Sequence, residues 1–406
     1  MDAANARVSD FLFVFYPANR HKAPAYCGFE WDLELFRGKM RFLMLNWRDP
    51  VNPRSGGAER VTRAYLSDLV RRGHEVYWFA PTFPEGQREE ELDGIRIVRD
   101  GKVGWSIASA RRWCRAQQPF DLVIDQHHGI PWFAPWWCQT RCVAYIHEVL
   151  GPIWNAFYGW PYSMIGRCQE RCTHKLYRNV PFWTASSFTR DKLLETGVRR
   201  VTIIPYGVET QAIAHLPVKP LGPPLRLVTV SRLAPNKRVD HAIRAMHWLL
   251  NNDVDCEMTV VGTGEVEELV KDLVVNLGLE EKVRFTGSIS EEEKDKILRE
   301  AHWLLHTSMR EGWGLNVIEA NAMGTPAAVY PVAGLIESTL HDQTGLIASA
   351  ETPEALGTCI RNVMRAPEKY QRYRVAAWER AKTFHWSQVL PIASEWLEEQ
   401  ARVPRS

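Results

Sequence analysis

The sequence predicts an α/β protein built from two doubly wound domains that face each other across a cleft. Three observations carry this. From Met40 onward short apolar runs alternate with amphipathic helical stretches, a proline-rich break falls at His215–Pro224, and the same rhythm restarts at Leu225. Strand, glycine turn, helix and strand make a βαβ unit, and such units imply parallel sheets.

The first unit opens with Arg41–Asn46 (RFLMLN), a buried-strand run followed by a loop with Pro50, Pro53, Gly56 and Gly57. Ala58–Arg72 places Val61, Tyr65, Leu66 and Leu69 at helical spacing and stops at Gly73, and Glu75–Pro81 is the next strand. Further strands are expected at Asp121–Asp125, Arg141–His147, Phe182–Ala185 and Val201–Pro205. The segment HLPVKPLGPP, four prolines in ten residues, reads as an interdomain linker with few anchors.

The second half predicts strands at Leu225–Val230, Cys256–Val261, Val283–Thr286, Trp303–Thr307 and Thr325–Val329. Helices are expected at Val239–Leu250, Val266–Leu277, Glu291–Glu300, Leu315–Met323 and Pro353–Arg365. The domains are therefore placed at 40–218 and 219–385, with helix 386–402 packing back on the first. Residues 1–39 lack the rhythm. Either they lie upstream of a start at Met40, which this reading favours, or they form an arm packing Phe29, Trp31, Leu33, Leu35 and Phe36. Ligands of doubly wound sheets bind beyond the carboxyl ends of the strands, so both domains should aim loops into the cleft.

Composition narrows the class. The 406 residues are 45% hydrophobic and 24% charged, as in ordinary globular proteins. The longest apolar runs, Phe11–Pro17 and Gly129–Cys138, fall well short of the roughly 18–20 residues a membrane span needs. Residues 1–222 carry 29 Lys and Arg against 22 Asp and Glu, whereas residues 223–406 carry 21 against 26, a split that suggests different partners for the two halves. No basic stripe points to nucleic acid. Of the eight cysteines, Cys138/Cys142 and Cys168/Cys172 are each C-x3-C. Either they build a four-thiolate metal site or they are scattered reduced thiols of a cytoplasmic protein, the reading adopted here. Phe11–Pro17 is a poor signal-peptide core, being short and preceded by Asp2, Arg7 and Asp10.

Chemistry concentrates in Met309–Pro326, MREGWGLNVIEANAMGTP. Gly312 and Gly314 argue for a tight loop with a helix beginning near Leu315, between the acids Glu311 and Glu319. Free backbone N–H groups and a helix dipole between two acids suit a diphosphate, with one acid on hydroxyls at either end of the ligand. The alternative is a turn before an amphipathic helix with both acids solvated. Ser231-Arg232-Leu233 and then Lys237-Arg238 follow the first strand of the second half, where two cations can meet charge on a departing phosphate. The alternative there is a surface loop. His147 ends a strand, where the alternative is a packed or capping histidine, and so does Asp125-Gln126-His127-His128, where either His127 or His128 faces an acceptor or both are simply solvated. Asp253-Val254-Asp255 spells a metal-binding D-x-D but precedes a strand, away from the cleft, so it reads as a turn; no divalent metal is expected. Gly262-Thr263-Gly264 lacks the third glycine of a nicotinamide dinucleotide site.

From about Met40 to Glu399 the chain resembles a family 4 retaining glycosyltransferase of the GT-B fold, two Rossmann-like domains across a cleft. The resemblance rests on Gly56-Gly57-Ala58-Glu59, His147-Glu148, Ser186–Arg190 before Ile204–Val208, the S-R-L-x-x-x-K run, the E-x7-E run, and the Gly334 segment ending in Thr344-Gly345-Leu346. It implies that Glu311 binds sugar hydroxyls and Glu319 the ribose of the nucleotide. It further implies that amides of Gly312, Trp313, Gly314 and Leu315 hold the distal phosphate and sugar. Arg232 and Lys237 stabilise the diphosphate with the Gly57 amide, His147 contacts the transferred sugar, and Gly287–Ile289 line the base. The donor is a nucleotide-diphosphate sugar, no cofactor is needed, and the leaving phosphate takes the acceptor proton, so no dedicated base is named. One departure is Tyr206, where the family usually has Asn; it bears on the hinge or acceptor wall and not on the donor site. A binding protein without turnover, or a phosphorylase or epimerase on the same fold, are the alternatives.

Nine aromatic residues fall between Pro131 and Trp160, among them Trp132, Trp136, Trp137, Trp154 and Trp160, and Arg167, Arg171, Lys175 and Arg178 follow at roughly helical spacing. Either they seat the protein on an anionic leaflet beside a glycan or lipid-linked acceptor, or the tryptophans fill the core or stack on a soluble sugar.

Overall fold

The computed structural model describes residues 38–151, 154 and 159–404. The expectations for residues 1–37 lie outside the described residues. The first lobe is built on a sheet of β1 (Arg41–Leu45), β2 (Glu75–Ala80), β3 (Glu89–Leu92), β4 (Ile95–Arg99), β5 (Leu122–His127), β6 (Cys142–Ile146), β7 (Phe182–Thr184) and β8 (Val201–Ile203). Their order is β3-β4-β2-β1-β5-β6-β7-β8, parallel except at the β3–β4 edge. Its helices are α1 (Gly57–Arg71), α2 (Ser106–Arg115), α3 (Ala134–Trp137), α4 (Tyr162–Leu176) and α5 (Ser187–Glu195). The β3–β4 hairpin is invisible to the apolar alternation because β3 is the exposed edge run EEEL. Its turn is betrayed only by Asp93-Gly94, both at positive φ.

The second lobe is a six-stranded parallel sheet of β9 (Leu225–Val230), β10 (Cys256–Val261), β11 (Val283–Gly287), β12 (Trp303–His306), β13 (Ala327–Val329) and β14 (Gly345–Ile347), ordered β11-β10-β9-β12-β13-β14. Around it lie α6 (Val239–Leu250), α7 (Glu267–Asn276), α8 (Glu291–Glu300), α9 (Leu315–Ala322), α10 (Ala333–Ser338), α11 (Pro353–Met364) and α12 (Pro367–Ala381). In both sheets the strand order reverses beside the first strand, between β1 and β5 and between β9 and β12. Such switch points open a crevice at the strands' carboxyl ends. The loops leaving these four strands are the ones that carry the glycine, Ser-Arg-Leu and Glu311 motifs and His128.

Central strands are buried on both faces, as parallel sheets require: Phe42, Leu43, Met44 and Leu45 are all inaccessible. The tryptophan excess divides. Trp78, Trp132 and Trp183 fill the first lobe's interior, Trp132 stacking on Trp47 at 4.6 Å, whereas Trp105, Trp136 and Trp160 are 75%, 50% and 82% exposed. A fully buried ion pair fixes the loop after β1. Arg99 on β4 donates to both oxygens of Asp49, at 2.7 and 2.9 Å, and Asp49 in turn accepts from the Val51 amide. The cysteines do not converge: Cys138 and Cys142 are buried, whereas Cys168 and Cys172 lie exposed on α4. Asp253 sits at positive φ in the turn before β10, and Asp255 pairs with Lys282.

The proline-rich linker is anchored, contrary to expectation. Lys219 is buried, donating to the Ala301 carbonyl and the Thr325 hydroxyl, while Arg374 and Gln371 of α12 donate to the Pro217 and Lys219 carbonyls. Proline lacks an N–H but keeps its carbonyl, and α12 captures the Pro217 carbonyl together with that of Lys219. The last helix, α13 (Trp386–Arg402), returns to the first lobe. Ser394 donates to Asp68 of α1 at 2.6 Å, and Arg72 meets Glu398 at 3.0 Å. At the crossover, Gly207 lies so close to Trp386 that a Cβ there would stand 2.2 Å from the indole.

Candidate functional site

Gly314 begins α9 at φ +83, a left-handed conformation that glycine tolerates and other residues resist. The amides of Gly312, Trp313, Gly314 and Leu315 find no acceptor among the described residues. Behind this loop stands Gly334 of α10. Its amide donates to the Glu311 carbonyl at 3.1 Å, and a Cβ on it would fall 2.3 Å from that oxygen and 2.6 Å from the Trp313 nitrogen. Glycine is therefore demanded at 334 by backbone proximity.

The two acids have different environments. Glu311 is met by the Lys237 ammonium at 2.6 Å and by His306 Nε2 at 3.4 Å. Burial by itself would raise its carboxyl, but the His306 hydrogen bond and the Lys237 charge prevail and hold it at about 2. Glu319, one helical stretch further on, faces Lys294 of α8 at 3.0 Å, and burial keeps its carboxyl above the usual range. Lys294 itself is shared with Glu291. Neither His306 nor Lys294 is legible in the motif, since each comes from a different element.

The Ser-Arg-Leu loop is pressed against the β10 end. A Cβ on Gly262 would lie 2.0 Å from the Ser231 carbonyl, and one on Gly264 2.2 Å from the Leu233 carbonyl. The Gly262-Thr263-Gly264 run thus packs this loop. Arg232 is exposed and makes no ion pair among the described residues, and the Ser231 hydroxyl is buried without a partner. Lys237 closes a short 3-10 turn, whose Asn236 carbonyl accepts from Met309, tying the two cleft loops together. Gly287 ends β11 at φ +67 and bonds to Gly262, while Ile289 is half-buried against the core.

From the first lobe, Gly57 starts α1. Glu59 accepts from the Gly56 amide at 2.7 Å, capping that helix, and its other oxygen faces Arg48 at 3.1 Å and His128 at 3.4 Å. Burial opposes the charge on Glu59, yet the His128 and Gly56 hydrogen bonds and Arg48 hold its carboxyl at about 2. Of the two histidines after Asp125, it is therefore His128 that faces the cleft. His127 is buried between Tyr177 and Phe182, with ring centroids 4.7 and 5.3 Å away. Gly57, Leu315 and Glu319 line one groove between the lobes, about 530 Å³, together with Arg60 and Val61 of α1. His147, Arg232, Lys237 and Glu311 do not line it.

Both nitrogens of His147 are engaged: Gln126 Nε2 lies 2.8 Å from Nε2, and the Tyr206 hydroxyl meets Nδ1. Burial pushes its imidazolium down to about 3, so the ring is neutral at ordinary pH. Tyr206 thus meets the residue that the resemblance assigns to the transferred sugar, a contact the sequence alone does not predict. The chain separation hides it, since the two residues are 59 apart and meet only once β6, β7 and β8 are assembled in one sheet.

With this geometry in hand, comparison with known proteins is direct. Residues 55–212 match the family model described as Glycosyltransferase Family 4, and residues 218–380 match Glycosyl transferases group 1. The chain belongs to glycosyltransferase family 4. It is a glycosyltransferase of the GT-B fold. A glycogen synthase of Mycobacterium tuberculosis is 28% identical over 390 residues, covering 88% of this chain and 94% of that protein. The GDP-mannose-dependent alpha-(1-6)-phosphatidylinositol monomannoside mannosyltransferase of Mycolicibacterium smegmatis is 25% identical, over 80% of this chain and 90% of that one. Among solved structures, Anabaena Alr3699/HepE in complex with UDP-glucose superposes with a TM-score of 0.65 at 17% identity, covering 89% of this chain and all of that one.

Among the described residues no group of three or more His, Cys, Asp or Glu side chains is arranged to hold a metal ion, and no helix is long and apolar enough to cross a membrane.

Proposed function

We propose that this chain moves a sugar, with retention of anomeric configuration, from a nucleoside-diphosphate sugar to a glycan or lipid-linked acceptor in surface-polysaccharide or glycolipid synthesis. The observation that carries the reading is the groove in which Gly57 of one lobe faces Leu315 and Glu319 of the other. The Glu319 carboxylate takes the ribose hydroxyls, and Gly287 and Ile289 flank the base. The free amides of Gly312, Trp313, Gly314 and Leu315, with the α9 dipole, take the distal phosphate and sugar. Arg232 and Lys237 supply the positive charge that the departing diphosphate requires, so the reaction needs no bound metal or cofactor.

In the transfer step the bond from the anomeric carbon to the phosphate oxygen breaks, and the acceptor oxygen forms its bond on the same face. The acceptor proton passes to the leaving phosphate. His147, neutral and held at both nitrogens, suits contact with the sugar rather than proton abstraction. Glu311, ionised throughout the working range, suits sugar hydroxyls.

The acceptor reading rests on α4. Tyr162, Ile165 and Leu176 are exposed along one side of this helix, Trp160 precedes it, and Arg171 and Lys175 are exposed together on the adjoining face. An in-plane helix of this kind suits an anionic leaflet on the cytoplasmic side, with aromatics at headgroup depth. Flotation with phosphatidylglycerol vesicles should carry the protein upward, and phosphatidylcholine vesicles should not. Absence of binding to both sinks the membrane part of the reading.

The enzymatic part is tested by incubating the chain with UDP-, GDP-, ADP- and dTDP-sugars, with and without EDTA, while following the thermal midpoint and released nucleoside diphosphate. A donor at about 100 times its dissociation constant adds roughly 2.7 kcal/mol. The expected result is one selective, EDTA-insensitive shift that is lost in Glu319→Ala, with nucleoside diphosphate released once an acceptor is present. A shift without any turnover would leave a nucleotide-sugar-binding protein. Free phosphate as co-substrate, or an isomerised donor, would identify a phosphorylase or an epimerase.

A further inference from the structure

Two residues beside the expected sugar contacts join the lobes. Glu148 follows His147 at the end of β6, and Arg310 precedes Glu311 in the loop after β12. Arg310 Nε donates to Glu148 Oε2 at 2.6 Å, and its Nη2 reaches Oε1, a two-pronged guanidinium–carboxylate pair across the cleft. Arg310 has an acid next to it in sequence, Glu311, but that carboxylate is already met by Lys237 and His306. The arginine turns instead to the other lobe.

A second tie lies nearby. Glu337 of α10 accepts from the Ser187 and Phe188 amides at 2.8 and 2.7 Å, a carboxylate from the second lobe seated on the start of α5 in the first. Arg380 of α12 holds the carbonyls of Glu337 and Ser338, so the glutamate is braced on its own lobe. The same short helix carries Gly334, which backs the Glu311–Trp313 loop. Both ties therefore act on the backbone that presents Glu311.

We propose that Glu148 and Arg310 are positioning residues, forming the clamp that closes the two lobes and sets His147 against Glu311 around the sugar. The proposal rests on the transferase reading above. The two lobes bind different ends of the reacting system. Donor contacts belong mainly to the second lobe, and the clamp adds none to the nucleotide. Loss of the clamp should therefore spare nucleotide affinity and slow the chemical step, because transfer depends on holding the reacting atoms within a few tenths of an ångström.

The test uses the full chain as wild type, Arg310→Ala, Glu148→Ala, and the charge swap Glu148→Arg/Arg310→Glu. Three quantities are read: affinity for the nucleoside diphosphate selected by the donor screen, single-turnover transfer rate, and small-angle X-ray scattering. Each single variant should keep nucleotide affinity within about twofold, lose roughly 10- to 100-fold in transfer rate, and show a larger radius of gyration. The swap should recover most of the rate and the compact scattering. Unchanged scattering and rate in the singles would overturn the clamp, as would a swap no better than the singles, or a fall in nucleotide affinity that matches the fall in rate. If wild type transfers no sugar while scattering still opens in the singles and closes in the swap, the clamp stands and the transferase reading fails.

Discussion

Lys237 and Glu311 form a 2.6 Å ion pair between two motif loops of the second lobe, joining the cation expected to meet the diphosphate to the acid expected to bind the sugar. Both side chains are about one-fifth exposed, so the pair is reachable from solvent. On the proposed reading, a diphosphate sugar would compete with Glu311 for the ammonium while offering Glu311 hydroxyl donors, and the pair would hold both side chains in position until the donor arrives.

Replacing Glu311 by Gln keeps the shape and removes the charge. We expect kcat/KM to fall by about 10²- to 10³-fold, the range seen when one well-aimed polar contact to a transition state is lost. Because Glu311 is held at about 2, below its unfolded value, its charge contributes stability that is complete above about pH 4.5 and lost as pH falls through 2. Wild type and Glu311→Gln should therefore have acid limbs of their pH–rate profiles at the same pH. A limb near pH 4–5 that is present only in wild type would contradict the assignment.

Two glycines separate folding from binding. A Cβ on Gly57 meets nothing within 4 Å, so Gly57→Ala should fold as well as wild type, with a gain of about 0.4–1 kcal/mol from the unfolded chain. The same methyl projects at the groove, so donor-induced stabilisation should shrink. Gly334→Ala places a methyl 2.3 Å from the Glu311 carbonyl and should cost stability as well as activity. Denaturant melts with and without donor distinguish the two patterns.

Tyr206→Phe removes the hydroxyl on His147 Nδ1 and leaves the ring. An unpartnered buried imidazole nitrogen costs about 1–3 kcal/mol. The transfer rate should fall more than donor affinity, since the nucleotide end is untouched. Equal losses in both would show that Tyr206 acts only through folding.

Lys219 gives the linker a pH signature. Burial, with Arg374 and Arg226 nearby, lowers its ammonium to about 6, against an unfolded value near 10.5. The unfolded chain then binds a proton that the folded chain lacks. The penalty is absent above about pH 10.5, grows as pH falls, and levels off below about 6. Relative to Lys219→Met, wild-type stability should rise by about 1.4 kcal/mol per pH unit between roughly pH 7 and 9. Parallel curves across that range would refute it.

The residues that bind one another along the chain were legible early. Gly312 and Gly314 predict a turn into a helix at Leu315, and α9 begins there, because a glycine at positive φ is a local requirement. The β3–β4 hairpin leaves no trace in the apolar alternation, because an exposed edge strand has no apolar face to repeat. The clamp, the His147 cradle and the brace at Lys294 carry no signal at all in sequence, since their partners are separated by tens to hundreds of residues.

The βα rhythm, the two largely parallel sheets and the order of the glycine and acid motifs follow from the residues alone, because side-chain direction repeats every two residues in a strand and every 3.6 in a helix. What each charged or polar group touches is set by the assembled sheets. Gln126 and Tyr206 hold His147, Lys237 and His306 hold Glu311, and Arg310 reaches Glu148 across 162 residues. Those pairings depend on which strand ends lie side by side, and strand order is a property of the whole sheet rather than of any segment in it.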